Sequence, residues 1–252
     1  MKNNLSILPI TRGDYYISHI NAYHNFESDT SKITYLTPPE HIKSLDVTSI
    51  NSESKALNMA YISGILADFL EDENLLPTVS GRMSSESFAF YANVVGEVVT
   101  DEDSTVTVEN SQIEIDAAYE GVKSLALMEA KRDLTDNFLI RQLYYPFRTW
   151  QQKMAKKPVR SVFLIYSNSI FYLYEYRFND LQHYNSLELV KHKRYCLEDT
   201  HISVEDVQKI LKKLRFNKEP NIQFPQANSF ERVINICELL YINDVEKNFI
   251  TE

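Results

Sequence analysis

The chain has 252 residues, of which 24% are charged and 44% hydrophobic, with 5 glycines and a formal net charge of −9. That length can bury a sizeable core as one domain, while so few glycines leave no material for a Rossmann or P-loop phosphate cradle. The sequence has no run of 18 apolar residues, and MKNNLSILPITRG lacks a secretory leader's apolar core, so no membrane span and a cytoplasmic location are expected.

Residues 1–50 mix short apolar pieces with Pro9, Pro38 and Pro39 and read as an arm, with short strands at 15–20 and 33–36. Ser52 is a helix cap, and Leu57, Ala60, Tyr61, Gly64, Ile65 and Phe69 set a helical period that EDEN and Pro77 end. Its acidic end, Asp68 and Glu71 to Glu73, reads as a solvated helix terminus or as a source of an accessory metal ligand. SGRMSSES then reads as a polar turn carrying Arg82, a candidate phosphate contact, before one bent or two short strands over 88–100.

From Ile113 the pattern changes. Ile113 and Ile115 alternate with Glu114 and Asp116, and a turn near Gly121 leads into LALMEAK, apolar on both faces as in a central strand. Glu129 and Lys131 nevertheless share a face of that strand with Leu125 and Leu127, about 6 to 7 Å apart. The hairpin sets Asp116 roughly opposite Leu125 to Glu129, so two carboxylates meet at the centre of a sheet. Each buried ion costs several kcal/mol unless a cation or hydrogen bonds compensate. Carboxylates alone suit a hard cation such as Mg²⁺, which commonly pairs with phosphate oxygens. A solvated face or a plain ion pair is the alternative at this point.

Asp136 is a candidate cap for a helix to about Lys156, with Leu139, Leu143, Phe147, Trp150 and Met154 on one stripe. Pro146 is expected to kink or split it. Arg141 and Arg148, seven apart, point the same way, with Gln142 beside the first. Residues 162–178 form an aromatic hairpin about Asn168-Ser169, and 187–197 a strand bearing Lys191, Lys193 and Arg194 as candidate phosphate contacts. Tyr172, Tyr174 and Tyr176 share one face, for packing or for base stacking. Capped helices follow at 203–216 and 228–243. Cys196 and Cys237 form no CxxC pair, and the 6 histidines no metal-binding cluster, so two reduced thiols are expected.

Asp116, twelve residues, then Glu129-Ala130-Lys131 resembles the active-site signature of the PD-(D/E)xK nuclease superfamily, with Ile115 where the family name has Pro. The flanks IEIDAAYEG and RQLYYPFRTW, with LPITRGDYYIS and FPQANSFERVI near the two ends, are similar to type II restriction endonucleases of that superfamily. The resemblance implies a mixed α/β (α+β) fold, a restriction-endonuclease-like core with a central mixed sheet flanked by helices. It divides the chain into an N-terminal arm (1–50), a nuclease core (51–200) and a C-terminal helical subdomain packed on the core (201–252). It also implies Mg²⁺-dependent cleavage of both strands of DNA at a short specific sequence, leaving 5′-phosphates. Asp116 and Glu129 would ligate the metal with the Ala130 carbonyl, Lys131 would act on the attacking water and the phosphate, and Glu114 and Gln142 would be accessory. A homodimer and a cognate DNA methyltransferase as genetic partner belong to the same expectation. Related families place a Gln-x-x-x-Tyr motif on the following helix; here Tyr145 is three residues after Gln142, so that match is incomplete.

The charge distribution bears on DNA. Residues 1–130 carry 7 Lys or Arg against 20 Asp or Glu, whereas residues 131–252 carry 19 against 15. A basic stretch that starts at Lys131, including Arg141 and Arg148, matches the needs of a DNA cleft, and equally those of a solvated helix face. Two rivals remain open: a nicking or junction-resolving repair nuclease with the same core, and a sequence-specific DNA-binding protein whose nuclease core is inactive.

Overall fold

The computed structural model describes residues 5–27, 31–44, 46, 50–93, 105–154 and 156–197. The N-terminal segment supplies four short strands, β1 (Ser6–Pro9), β2 (Tyr15–Ser18), β3 (Tyr23–Asn25) and β4 (Ile33–Leu36). The strands expected at 15–20 and 33–36 are among them. Thr11 Oγ1 closes the β1–β2 turn by accepting the N–H groups of Gly13 and Asp14.

Ser52 caps α1 (Glu53–Ile62), its hydroxyl accepting the Lys55 N–H at 3.2 Å. The single helix expected here is two. Gly64 takes φ 82, a left-handed conformation open to glycine, and α2 (Ile65–Leu70) starts in a new direction before Glu71 ends it at φ 59. Of the segment read as a polar turn, residues 80–84 belong instead to a strand, β5 (Leu76–Ser84), and 85–87 connect it to the next. Most of β5 is exposed, so it shows no apolar alternation to read. β6 (Phe88–Phe90) pairs with β7 (Val106–Val108), and the rest of the expected 88–100 strand lies outside the described residues.

β8 (Gln112–Glu120) and β9 (Leu125–Lys131) form the expected hairpin. Asp136 caps no helix. The chain first makes β10 (Asn137–Leu139), which pairs with β3 and puts Phe138 against Phe26 and Phe163, ring centroids 4.8 and 4.9 Å away. Only then does α3 (Arg141–Lys153) begin, and it runs through Pro146 without a break. Proline has no N–H, so the Gln142 carbonyl loses its usual helical donor there. β11 (Val159–Ser167) and β12 (Ile170–Phe178) are joined by Asn168 and Ser169, both at positive φ, the two-residue turn whose twist suits a hairpin. β13 (Leu187–Leu197) spans the expected residues.

Among the described residues seven strands make the main sheet in the order β4-β13-β12-β11-β9-β8-β5, mixed because β9–β11 and β13–β4 are parallel and the rest antiparallel. The fold is therefore mixed α+β with a large central sheet and few helices. β9 lies inside, with α3 as the crossover to parallel β11. Its alternation divides the core: Leu125 and Leu127 face α3 with Phe163, Ile165, Tyr174 and Tyr176, while Ala126, Met128 and Ala130 face α1 and α2 with Val162, Leu164 and Tyr195. Tyr174 and Tyr176 are thus core side chains. Cys196 is buried, with its sulfur 3.8 Å from the Leu197 carbonyl oxygen. The helices expected over 203–216 and 228–243, and Cys237, lie outside the described residues. Among the described residues no helix is long and apolar enough to cross a membrane.

The turn between β8 and β9 is fastened to the end of α2. Asp72 is only 5% exposed, and its carboxylate accepts the N–H groups of Lys123 at 3.0 Å and Asn74 at 3.1 Å. Gly121 packs directly on it, so a Cβ there would overlap the Asp72 carboxylate and lie 2.9 Å from Leu75 Cδ2. Gly121→Ala is expected to lower the unfolding free energy by about 1–3 kcal/mol, an overpacking penalty read by urea denaturation at constant m-value. A loss under about 0.5 kcal/mol would show that the turn moves aside without penalty.

Candidate active site

β8 and β9 leave their turn as a regular antiparallel pair, from Glu120 opposite Leu125 to Ala117 opposite Met128, and there the ladder stops. On its other edge β8 sets both Asp116 and Ala117 against the single residue Ser80 of β5, since Val79 pairs with Ala118 and Gly81 with Ile115. An extra residue of this kind bends a strand and re-aims its side chains, and such bulges are over-represented beside active sites. Asp116 Oδ2 reaches β9 and accepts the Ala130 N–H at 2.8 Å, so a side chain replaces the missing strand partner.

Glu129 points to the α3 side, as its parity with Leu125 and Leu127 requires. It is 7% exposed. Oε1 accepts from Lys131 Nζ at 2.7 Å and from the Gln142 side-chain amide on the first turn of α3. Lys131 Nζ also donates to the Ala130 carbonyl at 3.0 Å and lies 3.7 Å from Glu53 Oε1 at the start of α1. Burial, reinforced by the like charge of Asp116, pushes the Glu129 carboxyl up to about 7 despite the attraction of Lys131. Burial disfavours the Lys131 ammonium, but Glu129, Glu53 and Asp116 together outweigh it, and the amine sits above its ordinary value.

These groups line a cavity of about 230 Å³ together with Glu114, Arg141 and Tyr145. Arg141 lies over the Tyr145 ring at 5.5 Å, and its buried Nε has no hydrogen-bond partner among the described residues. Glu114 reaches Arg82 across the β5–β8 pair at 3.3 Å, an exposed contact. Among the described residues no three His, Cys, Asp or Glu side chains stand close enough to hold a metal ion as they are. Lys131 occupies the space between Glu129 and Glu53.

Asp116, Glu129, Ala130, Lys131, Glu114, Gln142 and Arg141 are thus brought together. The other cationic candidates are employed elsewhere. Arg148 donates to Tyr144 Oη at 2.7 Å and to the Leu181 carbonyl, and lies over the Phe88 ring. Lys191 pairs with Glu71 at 2.8 Å and Lys193 with Asp68 at 3.0 Å, fixing α2 to the sheet, while Arg194 donates to the Ser31 carbonyl. Glu53 is the member that sequence reasoning missed. Its only local signal is an acid in the first turn of a capped helix, where the helix dipole favours a negative charge, and nothing there points to Lys131 78 residues away.

Fold and site together define a mixed α+β protein with a partly buried carboxylate–lysine cavity on the inner hairpin of its sheet. Residues 18–196 match the family described as Domain of unknown function (DUF6997), and the chain belongs to it. The matched span runs from the end of β2 almost to the end of β13 and encloses every residue that lines the cavity. No curated protein and no solved structure matches the chain.

The Glu129 proton gives a test that needs no substrate. A carboxyl near 7 when folded and at its ordinary 4.5 when unfolded binds its proton more tightly in the folded chain. Its contribution to stability is therefore lost as pH rises from about 4.5 to 7, on the order of 3 kcal/mol. In EDTA, Glu129→Gln is expected to remove that slope, so the stability difference between variant and wild type should change by this order between pH 5 and pH 8 in urea unfolding. A difference that does not change with pH would show that Glu129 is not held protonated.

Proposed function

We propose that this protein is a Mg²⁺-dependent DNA endonuclease with a restriction-endonuclease-like core, of the type II kind that cuts both strands at a short specific sequence. One observation carries the reading. Asp116, Glu129 and Lys131 meet where an antiparallel hairpin opens, on a strand that continues through a helix into a parallel neighbour. Buried charge at a sheet's centre is expensive, and a chain selected for stability alone would fill these positions with apolar groups.

The residues fit a magnesium ion. Mg²⁺ keeps several of its waters and is usually held through one or two carboxylates, so Asp116 and Glu129 with the Ala130 carbonyl are a sufficient all-oxygen donor set. Glu53 stands close by as a further acid. When bound, the ion would activate a water and offset the charge that develops on the phosphate. The chain's own groups do the rest. Asp116, tied to the Ala130 N–H, fixes the separation of the two strands, and Gln142 orients the Glu129 carboxylate from α3. Lys131 Nζ orients the attacking water and steadies the negative charge on the phosphate, a positioned cation in a partly dry site. Arg141, whose Nε has no hydrogen-bond partner among the described residues, supplies a second positive group to hold the backbone of the DNA. In-line attack leaves a 5′-phosphate and a 3′-hydroxyl. One such site cuts one strand, so double-strand cleavage asks for a two-fold homodimer on a palindromic target.

Incubation of the full-length protein with unmethylated phage DNA is expected to give discrete fragments in Mg²⁺ and none in EDTA. Lys131→Ala and Asp116→Asn should each cut at least about 100-fold more slowly. No cleavage by the folded wild type across templates and salt conditions would sink the nuclease reading. Nicking of one strand by a monomer would point to the repair-nuclease alternative instead.

A further inference from the structure

We propose that a second cavity, across Asp116 from the first, is a nucleoside subsite that takes the sugar and base adjacent to the phosphate under attack. It measures about 330 Å³, at the lower end of the range for small-molecule sites, and Asp116 lines both cavities. Its chemistry differs from that of its neighbour. Among the described residues no Lys or Arg lines it and Asp116 is its one charged residue; polar groups come from Ser54, Asn58, Thr78 and Ser80. Hydroxyls and an amide match the neutral donors and acceptors of a deoxyribose and a base, whereas a phosphate calls for the cations found only on the other side of Asp116.

The fold accounts for the space. Thr78 is an extra residue in β5, because Pro77 pairs with Tyr119 and Val79 with Ala118; beyond it Ser80 faces the bulge at Asp116 and Ala117. Two irregularities in quick succession loosen the β5–β8 edge where α1 crosses it. Ser54 and Asn58, four apart, share a face of α1, and with Thr78 and Ser80 they form an exposed polar rim. Leu57 and Tyr119 form a buried apolar floor, held by the Tyr119 hydroxyl donating to the Leu57 carbonyl at 3.4 Å and by Tyr61 stacked on Tyr119 at 5.1 Å. An apolar floor under a neutral polar rim suits the flat face and hydrogen-bonding edge of a base.

This proposal rests on the nuclease reading for its ligand, and binding tests it separately from cleavage. The probes are the four deoxynucleoside 5′-monophosphates, the free nucleosides and inorganic phosphate, titrated into the ¹⁵N-labelled full chain in Mg²⁺ and followed by amide shifts. Monophosphates should shift amides around both Asp116 and Asn58, and inorganic phosphate only those around Asp116 and Lys131. Asn58→Ala, an exposed helical change that favours the helix, should weaken monophosphate binding about five-fold and leave phosphate binding unchanged. Thr78→Ala should act the same way, and Lys131→Ala should weaken both ligands. Monophosphates that bind no better than phosphate, that leave the Asn58 region unshifted, or that are indifferent to both rim variants overturn the subsite. Nucleotide binding with the expected rim dependence but no DNA cleavage would retain the subsite and reject the nuclease. Cleavage by a protein whose nucleotide binding ignores the rim would do the reverse.

Discussion

The hydrogen bond from the Ala130 N–H to Asp116 is the contact on which the centre of this molecule depends. Main-chain pairing between β8 and β9 ends at Ala117 and Met128, and an unmade backbone bond in the interior costs free energy that few native structures bear. A carboxylate meets the need with a charge-assisted bond, stronger than the amide–carbonyl bond it replaces. The substitution places a negative charge beside the next strand, next to Glu129, which no ordinary ladder would do. Lys131 and Gln142 then follow as necessities, because a carboxylate 7% exposed beside another carboxylate must be hydrogen-bonded, protonated or paired with a cation.

The same accounting explains where the other charges went. Arg160 and Glu175, neighbours on β11 and β12, form a two-pronged ion pair at 2.6 Å, and Arg160 also holds the Leu70 carbonyl at the end of α2 at 2.8 Å. Lys191 and Lys193 reach from β13 to Glu71 and Asp68, and the Tyr195 hydroxyl donates to Asp68 at 2.6 Å. This network fastens α2 to the sheet on the face opposite Glu129 and has the features of a structural clamp: both signs are present and each charge is answered. The cavity beside Asp116 is the contrary case. There, among the described residues, the acids outnumber the bases and the Arg141 Nε has no hydrogen-bond partner, an imbalance that a ligand bearing both a cation and an anion would remove.

What could be read from the sequence was whatever the sheet itself imposes. LALMEAK betrays a strand covered on both faces because its apolar run is broken only by the two residues that form the site, and Asn168-Ser169 betrays a hairpin because few residue pairs accept two positive φ values. β5 was illegible for the opposite reason: an exposed edge strand with two irregularities has neither alternation nor a dry face. The start of α3 misled because Asp136 is a good cap in isolation, whereas the pairing of β10 with β3 and the packing of Phe138 among aromatic rings take those residues into a strand first. Lys191 and Lys193 read as candidate phosphate contacts, and Asp68 and Glu71 as a solvated helix end or a source of a metal ligand. They are partners more than 110 residues apart, and only the folded chain brings them together.

That last case bears on how a chain of net charge −9 can approach a polyanion. Among the described cations that suggested a DNA cleft, Lys191 and Lys193 are paired with acids and Arg148 is hydrogen-bonded to a carbonyl and a hydroxyl, so on the proposed nuclease reading they add little to phosphate affinity. On that reading, affinity among the described residues would rest on Lys131 and Arg141, which line the cavity, and on a divalent ion that would turn the local surplus of carboxylates from repulsive to attractive. On the nuclease reading, the metal ion would serve phosphate contact as well as chemistry. Binding to phosphate should then be weak without the ion, and Glu53, Glu114, Asp116 and Glu129 would be part of the substrate site instead of an obstacle to it.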